Sequence, residues 1–234
     1  MAFALSGARA ERAEGESKGT RMTTDARDER RSVEPMKAPA SRRWNHNIHY
    51  HRLILDAVPR GARSALDVGC GDGLLAAELA GVVPEVTGID ADAAVLDAAR
   101  LESAEVSWVR GDVMTYEFGG RFDMVASVAM LHHLPDLDAA LARLADLTAP
   151  GGVLAVVGIA RASRPRDAAR HLLGAVQHRW LSWRRGVWEH TAPTVWPPPH
   201  DYATVQRAAA RVLPGAQWRQ LLMWRYALIW RKPA

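Results

Sequence analysis

Short apolar segments alternate with helix-like segments through the middle of the chain, and this alternation constrains the fold more than any other feature. Strands are predicted at residues 64–69, 85–90, 106–112, 122–130 and 153–160, and helices at 72–80, 93–101 and 136–148. Strands that alternate with helices at this spacing predict a parallel sheet with helices on both faces. Residues 122–130 are apolar over nearly their whole length, which is typical of a strand buried on both faces.

The segments outside this region complete the predicted domain. Further helices are predicted at 49–58, 164–183 and 202–213, followed by two C-terminal strands with a tight turn near Trp224 and Arg225. Residues 1–40 are rich in Arg, Glu, Ala, Ser and Gly with almost no apolar periodicity, which predicts a disordered arm. Residues 41–234 are therefore expected to form one domain. Within it, residues 161–200 are an insertion that we expect to form a lid over a substrate.

The composition is that of a globular protein and excludes several classes of site. The chain has 234 residues, a formal net charge of +4 and one cysteine, Cys70. A single cysteine allows no internal disulfide and no cysteine-based zinc cluster, and it favours a cytoplasmic protein. The apolar segments are too short for a membrane-spanning helix, although peripheral contact with a membrane stays open. The charge is too small to favour nucleic acid as a partner.

A glycine-rich turn, ALDVGCGDGLL at residues 65–75, follows the first predicted strand. A dinucleotide site requires G-x-G-x-x-G, but Leu74 occupies the position of the third glycine. A phosphate-binding loop requires a Lys-Ser or Lys-Thr pair after its glycines, and none follows here. Both pyrophosphate and triphosphate are therefore disfavoured. Asp72 begins the following helix and is predicted to cap it, and Cys70 is expected to be a small spacer in the turn.

Two acidic residues narrow the choice of ligand. Asp67 directly precedes the glycine turn, where a carboxylate would repel phosphate but attract a ligand with an ammonium group. Asp90 ends the second strand, where an acid can accept hydrogen bonds from both hydroxyls of a ribose. The predicted ligand is a nucleoside with a cationic, amino-acid-like tail and no phosphate. S-adenosylmethionine (SAM) has this description.

With these residues the chain resembles the class I SAM-dependent methyltransferases, over roughly residues 45–160. The matching motifs are LDVGCGDG, GID, GDV, FDMVASVAMLHHL and LTAPGGVLAVV, in that order along the chain. The resemblance implies a Rossmann-like, doubly wound seven-stranded α/β sheet, mostly parallel with an antiparallel C-terminal strand. It also implies SAM as cofactor and no metal.

The resemblance assigns cofactor-binding roles residue by residue. Gly69, Gly71 and Gly73 would lie beneath the cofactor, with Asp67 near its methionine end. Asp90 would bind the ribose, with Ile89 or Ala91 against adenine. Asp112 would bind the adenine amino group, with Val113 beside the ring, and Ser127 and Met130 would line the cleft.

Candidates for catalysis and for the acceptor site are less specific. His133 is the first candidate for a general base and His132 the second, although this pair also fits a simple packing role. In the segment WNHNIHYH, Tyr50 or His49 could contact the cofactor or substrate. Trp180, Trp183, Trp188 and Trp196 could line a pocket for a small hydrophobic or aromatic acceptor. Arg-rich residues 164–185 could alternatively form a basic amphipathic helix on a membrane surface.

The predicted function is therefore methyl transfer from SAM to a small, hydrophobic or aromatic molecule. The oligomeric state and the acceptor atom are left open by the sequence. Two alternatives from other classes are a non-catalytic SAM-binding or regulatory protein and an NAD-dependent oxidoreductase.

Overall fold

Seven strands form a single sheet in the computed structural model, which describes residues 43–189 and 195–234. The strands are β1 (Ser64–Val68), β2 (Glu85–Asp90), β3 (Val106–Arg110), β4 (Phe122–Val128), β5 (Thr148–Ile159), β6 (Gln217–Gln220) and β7 (Arg225–Arg231). Their spatial order is β3-β2-β1-β4-β5-β7-β6. β7 runs antiparallel to both β5 and β6, and the remaining pairs are parallel. The predicted fold class is confirmed. The predicted disordered arm, residues 1–40, lies outside the described residues.

Six α-helices connect or flank these strands in the described residues. They are α1 (His51–Leu55), α2 (Leu74–Ala80), α3 (Ala93–Arg100), α4 (Leu137–Leu147), α5 (Pro165–Arg185) and α6 (Tyr202–Val212). Aspartates at the residue before α3, α4 and α6 accept hydrogen bonds from backbone N–H groups of the first turn, which explains where these helices begin.

Helix α2 departs from this pattern and corrects one prediction. It begins after its N-cap residue, Gly73, whose φ of 79° is left-handed. Asp72 lies one residue before this position and is buried, so the prediction that it is the N-cap residue is wrong. The sequence placed the start of the helix too early because glycine, with no Cβ, allows a sharper turn than the helical pattern indicates.

The sheet is covered on both faces, as its apolar strands predict. On one face, Leu66, Val125 and Leu154 pack against apolar residues of α4 and α6. On the other face, Ala65 and Met124 pack against apolar residues of α1 and α2. Burial on both faces fixes the strand register, so the carboxyl ends of β1, β2 and β4 lie along one edge. Ligands of doubly wound sheets bind at such an edge.

Candidate functional site

A cleft of about 620 Å³ lies at the carboxyl ends of the parallel strands. It is lined by the glycine turn after β1, by the ends of β2 and β4, by the segment ahead of α1, and by the turn into β7. A larger and more open groove of about 990 Å³ lies at the opposite edge, near Pro59, Pro150 and Pro214. We assign the site to the first cleft, because the loops at carboxyl ends are those that bind ligands in this architecture.

The glycine turn forms one wall of the cleft through its backbone. Gly69 and Gly71 have φ values of 68° and 51°, in the left-handed region that glycine adopts without strain. A Cβ on Gly69 would collide with the side chain of Met130, which lines the cleft from the end of β4. Gly73, predicted to lie beneath the cofactor, instead packs against Trp108 and Ala99 and does not line the cleft. Its smallness permits close packing of α2.

Asp67 is a buried carboxylate whose charge is poorly compensated. Its side chain is 2% exposed, and its Oδ2 atom has no hydrogen-bond partner. Burial raises the pKa of Asp67 to about 7, and the negative charges of Asp90 and Glu78 add to the rise, against a backbone hydrogen bond from Ala76. Because burial penalises the ionised form, a cationic group placed against Oδ2 would stabilise it. The position therefore fits the ammonium group of an amino-acid tail.

Asp90 and Asp112 line the cleft at the ends of β2 and β3, as their positions in the sequence predict. Asp90 accepts hydrogen bonds from the N–H groups of Gly71, at 2.9 Å, and Asp92, at 3.0 Å. Asp112 accepts one from Met114 at 2.9 Å. A carboxylate has about four lone-pair sites, so both acids can still accept hydrogen bonds from a ligand. The hydrogen bonds from backbone N–H groups hold both carboxylates in position before a ligand binds.

Apolar residues stand beside these acids, where a planar base would bind. Ile89 and Val113 are buried and line the cleft, and Ala91 lines it next to Asp90. Ser127, predicted to line the cleft, is fully buried and donates its hydroxyl hydrogen to the carbonyl of Val68. That prediction is wrong, because the side chains of a strand alternate between the two faces and Val128 is the residue that reaches the cleft.

His132 and His133 occupy a short 3₁₀ helix after β4 (Leu131–His133), and both line the cleft. His132 is buried, and burial, together with the charges of His133 and Arg225, lowers its pKa to about 4. His133 is more exposed than His132; its partial burial also lowers its pKa, while the negative charge of Asp90 acts in the opposite direction. His132 therefore faces the Arg225 side of the cleft, and His133 faces the Asp90 side.

The segment ahead of α1 closes the cleft, but through residues other than those predicted. The cleft is lined here by Asn45, His46, Asn47 and Ile48, and by His51 at the first position of α1. The hydroxyl of Tyr50 donates to the carbonyl of Leu222 at 3.0 Å, away from the cleft. The Nδ1 atom of His49 accepts a hydrogen bond from Trp44 at 3.4 Å. The predictions for Tyr50 and His49 are therefore wrong, since both side chains fasten this segment to neighbouring parts of the chain.

Arg225 is the charged cleft residue that the sequence did not predict. It is 6% exposed, and its guanidinium donates to the side-chain oxygen of Asn47 at 2.8 Å and to the carbonyl of Met223 at 3.4 Å. Its Nε atom has no partner, and no carboxylate in the described part of the chain forms an ion pair with it. Burial lowers the pKa of Arg225 to about 10, so it remains charged at neutral pH.

The predicted tryptophan pocket is formed by a different set of indoles. Trp188 and Trp196 line the cleft as predicted, and Trp224 joins them from the turn into β7. Trp180 and Trp183 are 51% and 82% exposed and lie on the outer face of α5, so their predicted place in the pocket is wrong. Helical spacing showed that they share a face but could not show that this face is the outer one.

Comparisons with known proteins agree with this geometry. Residues 65–152 match the family model described as a methyltransferase domain. An uncharacterized methyltransferase of Mycobacterium tuberculosis is 45% identical over 193 residues, which cover 81% of this chain and 98% of that protein. This chain belongs to the class I SAM-dependent methyltransferases.

More distant relatives of this methyltransferase share its fold or part of its sequence. The ubiquinone biosynthesis O-methyltransferase of Shewanella halifaxensis is 34% identical over 116 residues, covering 46% of this chain and 49% of that one. The SAM-bound structure of CalS10, an amino pentose methyltransferase from Micromonospora echinaspora, has a TM-score of 0.55 at 20% identity. That match covers 80% of this chain and 89% of CalS10 and shows the shared fold.

The cofactor of this methyltransferase is SAM, as predicted, and the cleft has features that fit it. Asp67 offers an orphaned carboxylate oxygen to an ammonium group, and the backbone at Gly69 leaves room that a Cβ would fill. Family membership also excludes the NAD-dependent oxidoreductase that was an alternative from the sequence. No cluster of potential metal ligands occurs among the described residues, and no helix among them is long and apolar enough to span a membrane.

Proposed function

We propose that this methyltransferase methylates an oxygen atom of a small acceptor that has an apolar or aromatic body. The observation that carries the proposal is Arg225, a buried cation without a carboxylate partner among the described residues, in the same cleft as three indoles. A guanidinium in a site of low polarity favours an anionic oxygen, such as that of a carboxylate or phenolate. Indole faces favour a flat apolar body.

Described residues of the segment 161–200, which is predicted to form the lid of the acceptor site, support this assignment. Trp188 and Trp196 come from this segment and line the cleft. Arg161 at its start is tied to its end, because the N–H of Arg161 donates to the carbonyl of His200 at 3.0 Å. The name of the ubiquinone biosynthesis relative, an O-methyltransferase, is consistent with an oxygen acceptor.

The cofactor roles form the second part of the proposal. Asp90 accepts hydrogen bonds from the ribose hydroxyls, and Asp112 accepts one from the adenine amino group. Ile89 and Val113 enclose the adenine ring, and Asp67 faces the ammonium group. These roles are supported by the presence of all five residues in the wall of the cleft.

The chain's own residues mainly position the acceptor. When bound, SAM would supply a methyl group carried on a sulfonium sulfur, and the acceptor oxygen would form a bond to its carbon as the S–C bond breaks and leaves its electron pair on sulfur. Arg225 holds that oxygen in its ionised form, which removes the need for a strong base. His132, whose pKa of about 4 keeps it neutral, uses its buried and unpartnered Nδ1 for a hydrogen bond to the same oxygen. The indoles exclude water from the reacting atoms.

A panel assay with labelled SAM tests the acceptor class. Matched aromatic carboxylic acids, phenols and amines are incubated with the enzyme, and products are identified by mass spectrometry. We expect methyl esters or ethers. Arg225→Gln should raise the acceptor KM by at least about tenfold, since a charged hydrogen bond of about 1.5–3 kcal/mol is lost, and should leave the Kd for S-adenosylhomocysteine (SAH) within twofold.

This test has two controls. Arg219→Gln changes an exposed arginine of β6 at the opposite groove and should alter neither constant. Binding of SAH shows that each variant is folded. Products methylated only on nitrogen, or an acceptor KM unchanged by Arg225→Gln, would overturn the proposal. A rate that falls with His133→Asn but not with His132→Asn would move the catalytic role to His133.

A further inference from the structure

Helix α5 presents its apolar face to solvent. The exposed fraction is 69% for Leu172, 63% for Val176 and 82% for Trp183, and Leu173 and Trp180 are also exposed by more than half. At about 3.6 residues per turn these five side chains form one stripe along the helix. Large apolar side chains in a continuous exposed stripe mark an interaction surface.

The opposite face of α5 packs against the domain, and its contacts fix the rotation of the helix about its own axis. Asp167 accepts hydrogen bonds from the N–H groups of Ser163 and Arg164, both at 2.8 Å, at the start of the helix. At Gly174, a Cβ would lie 2.5 Å from the backbone nitrogen of Met223. Near the C-terminal end of the helix, Leu181 packs in a small buried cluster. Because only glycine fits at the centre of this face, the apolar stripe must point outward.

The charges of α5 complement an anionic surface. The helix contains five arginines, at positions 166, 170, 179, 184 and 185, and its one acidic residue, Asp167, lies buried on the packed face. On a helical projection, Arg166 and Arg184 flank the stripe on one side and Arg179 flanks it on the other. The guanidinium of Arg184 lies 4.9 Å from the centre of the Trp180 ring.

We propose that this face of α5 docks the methyltransferase on an anionic lipid bilayer. Leu, Val and Trp side chains between rows of arginine are the composition of helices that lie in the membrane interface. Arginine stems can extend along the apolar surface while their charged ends reach lipid phosphates. A second copy of the chain fits less well, because two such faces would oppose their arginines with no acid on either stripe.

The stripe also continues towards the mouth of the cleft. Val187, 48% exposed, follows α5, and the next residue, Trp188, lines the cleft. If the apolar acceptor proposed above is correct, on which this one consequence rests, docking by α5 would bring the cleft next to a lipid phase that dissolves the acceptor. The docking itself does not depend on the identity of the acceptor.

Vesicle sedimentation of the full chain tests the proposal. The vesicles contain either phosphatidylcholine alone or phosphatidylcholine with about one third phosphatidylglycerol, an amount that gives a strongly negative surface. We expect pelleting with the anionic vesicles and little with the neutral ones. Replacing Leu172, Val176 and Trp183 by serine should abolish pelleting. Arg179→Gln with Arg184→Gln should lower the partition coefficient by about 25-fold, or about fivefold for each arginine.

Matched controls come from exposed residues elsewhere in the domain. Leu101→Ser removes an 81% exposed leucine at the end of α3, and Arg60→Gln removes an exposed arginine at the opposite groove. Neither should change pelleting, and SAH binding shows that every variant is folded. Wild-type protein that stays in the supernatant, or a triple-serine variant that still pellets, would overturn the proposal. A dimer that the triple variant dissociates, without vesicle binding, would assign the face to a second copy instead.

Discussion

The raised pKa of Asp67 predicts that cofactor binding is coupled to loss of a proton. Asp67 has a pKa of about 7 in the free protein because it is buried, with Asp90 and Glu78 adding to the rise. A cationic ligand binds to the ionised form, so below this pKa the observed affinity falls with the ionised fraction. From the fraction ionised, the Kd for SAH should be about tenfold higher at pH 6 than at pH 8. Near pH 7, binding should release about half a proton.

Isothermal titration calorimetry of SAH at pH 6, 7 and 8 measures this dependence. Repeating the titration at pH 7 in buffers with different ionisation enthalpies counts the released protons. Asp67→Asn should remove the pH dependence and raise the Kd at pH 8 by at least about tenfold, since a charge-assisted hydrogen bond is lost. A slope that persists in Asp67→Asn would show that another group carries the proton. His132 would not be that group, because its pKa is about 4.

The same substitution should have the opposite effect on stability. An acid whose pKa rises from 3.8 to about 7 on folding contributes stability that is fully present below pH 3.8 and is lost as the pH rises to 7. At 1.36 kcal/mol for each pKa unit, the cost above pH 7 is about 4 kcal/mol at most. Asp67→Asn should therefore raise the denaturation midpoint of the cofactor-free protein at pH 8, with no gain at pH 4.

A control carboxylate separates this effect from a general effect of Asp→Asn substitution. Asp123 lies at the other edge of the sheet, where its Oδ2 accepts the N–H of Arg63 at 2.8 Å. Asp123→Asn should lower stability and leave the pH dependence of SAH binding unchanged. If Asp67→Asn also lowered stability at pH 8, the argument that Asp67 is an uncompensated buried charge would be refuted.

Three further substitutions test the rest of the site. Asp90→Ala should weaken SAH binding by at least about 30-fold in calorimetry, since it removes an acceptor for two ribose hydroxyls, each worth about 1–1.5 kcal/mol; an unchanged Kd would contradict the ribose role. Gly69→Ala should lower stability by about 1–3 kcal/mol through its left-handed φ and a collision with Met130, and should weaken SAH binding. Its control, Gly215→Ala, has a φ of 80° but open space, so it should lower stability alone. Gly174→Ala should destabilise the domain, seen as a lower denaturation midpoint, and an unchanged midpoint would show that α5 packs more loosely.

The parts of the structure that follow from local rules could be predicted from the sequence. Strands β1 to β4 were located to within two residues at either end because apolar burial on both faces leaves a strong pattern. Asp90 and Asp112 could be placed at the cleft because each ends a parallel strand. The path of the backbone, rather than a side-chain contact, sets where these two residues lie, so one sequence is enough to predict their positions.

The errors arise where a contact distant in sequence determines a side chain's direction. The resemblance to the family places Ser127 in the cleft, but its side chain is buried and its hydroxyl donates to the carbonyl of Val68. Tyr50 and His49 belong to the segment that borders the cleft. The hydroxyl of Tyr50, however, donates to the carbonyl of Leu222, 172 residues away in sequence. A motif indicates which segment of the chain lies at the site. It does not indicate which side chains of that segment point into the cleft.

The positions of Arg225 and of helix α5 also depend on contacts that are distant in sequence, and these two features bear on function most directly. The hairpin turn near Trp224 was predicted, but nothing local indicates that Arg225 enters the cleft, because this requires β7 to pair with β5. Likewise, the spacing of Leu172, Val176 and Trp183 predicts one apolar face of a helix, but only the contact of Gly174 with the turn before β7 shows that this face points to solvent. The parallel half of the sheet, which the sequence predicts well, carries the residues proposed to bind the methyl donor. The antiparallel end, which non-local pairing assembles, supplies Arg225 and the contact that anchors α5, on which the proposals for acceptor binding and membrane docking depend.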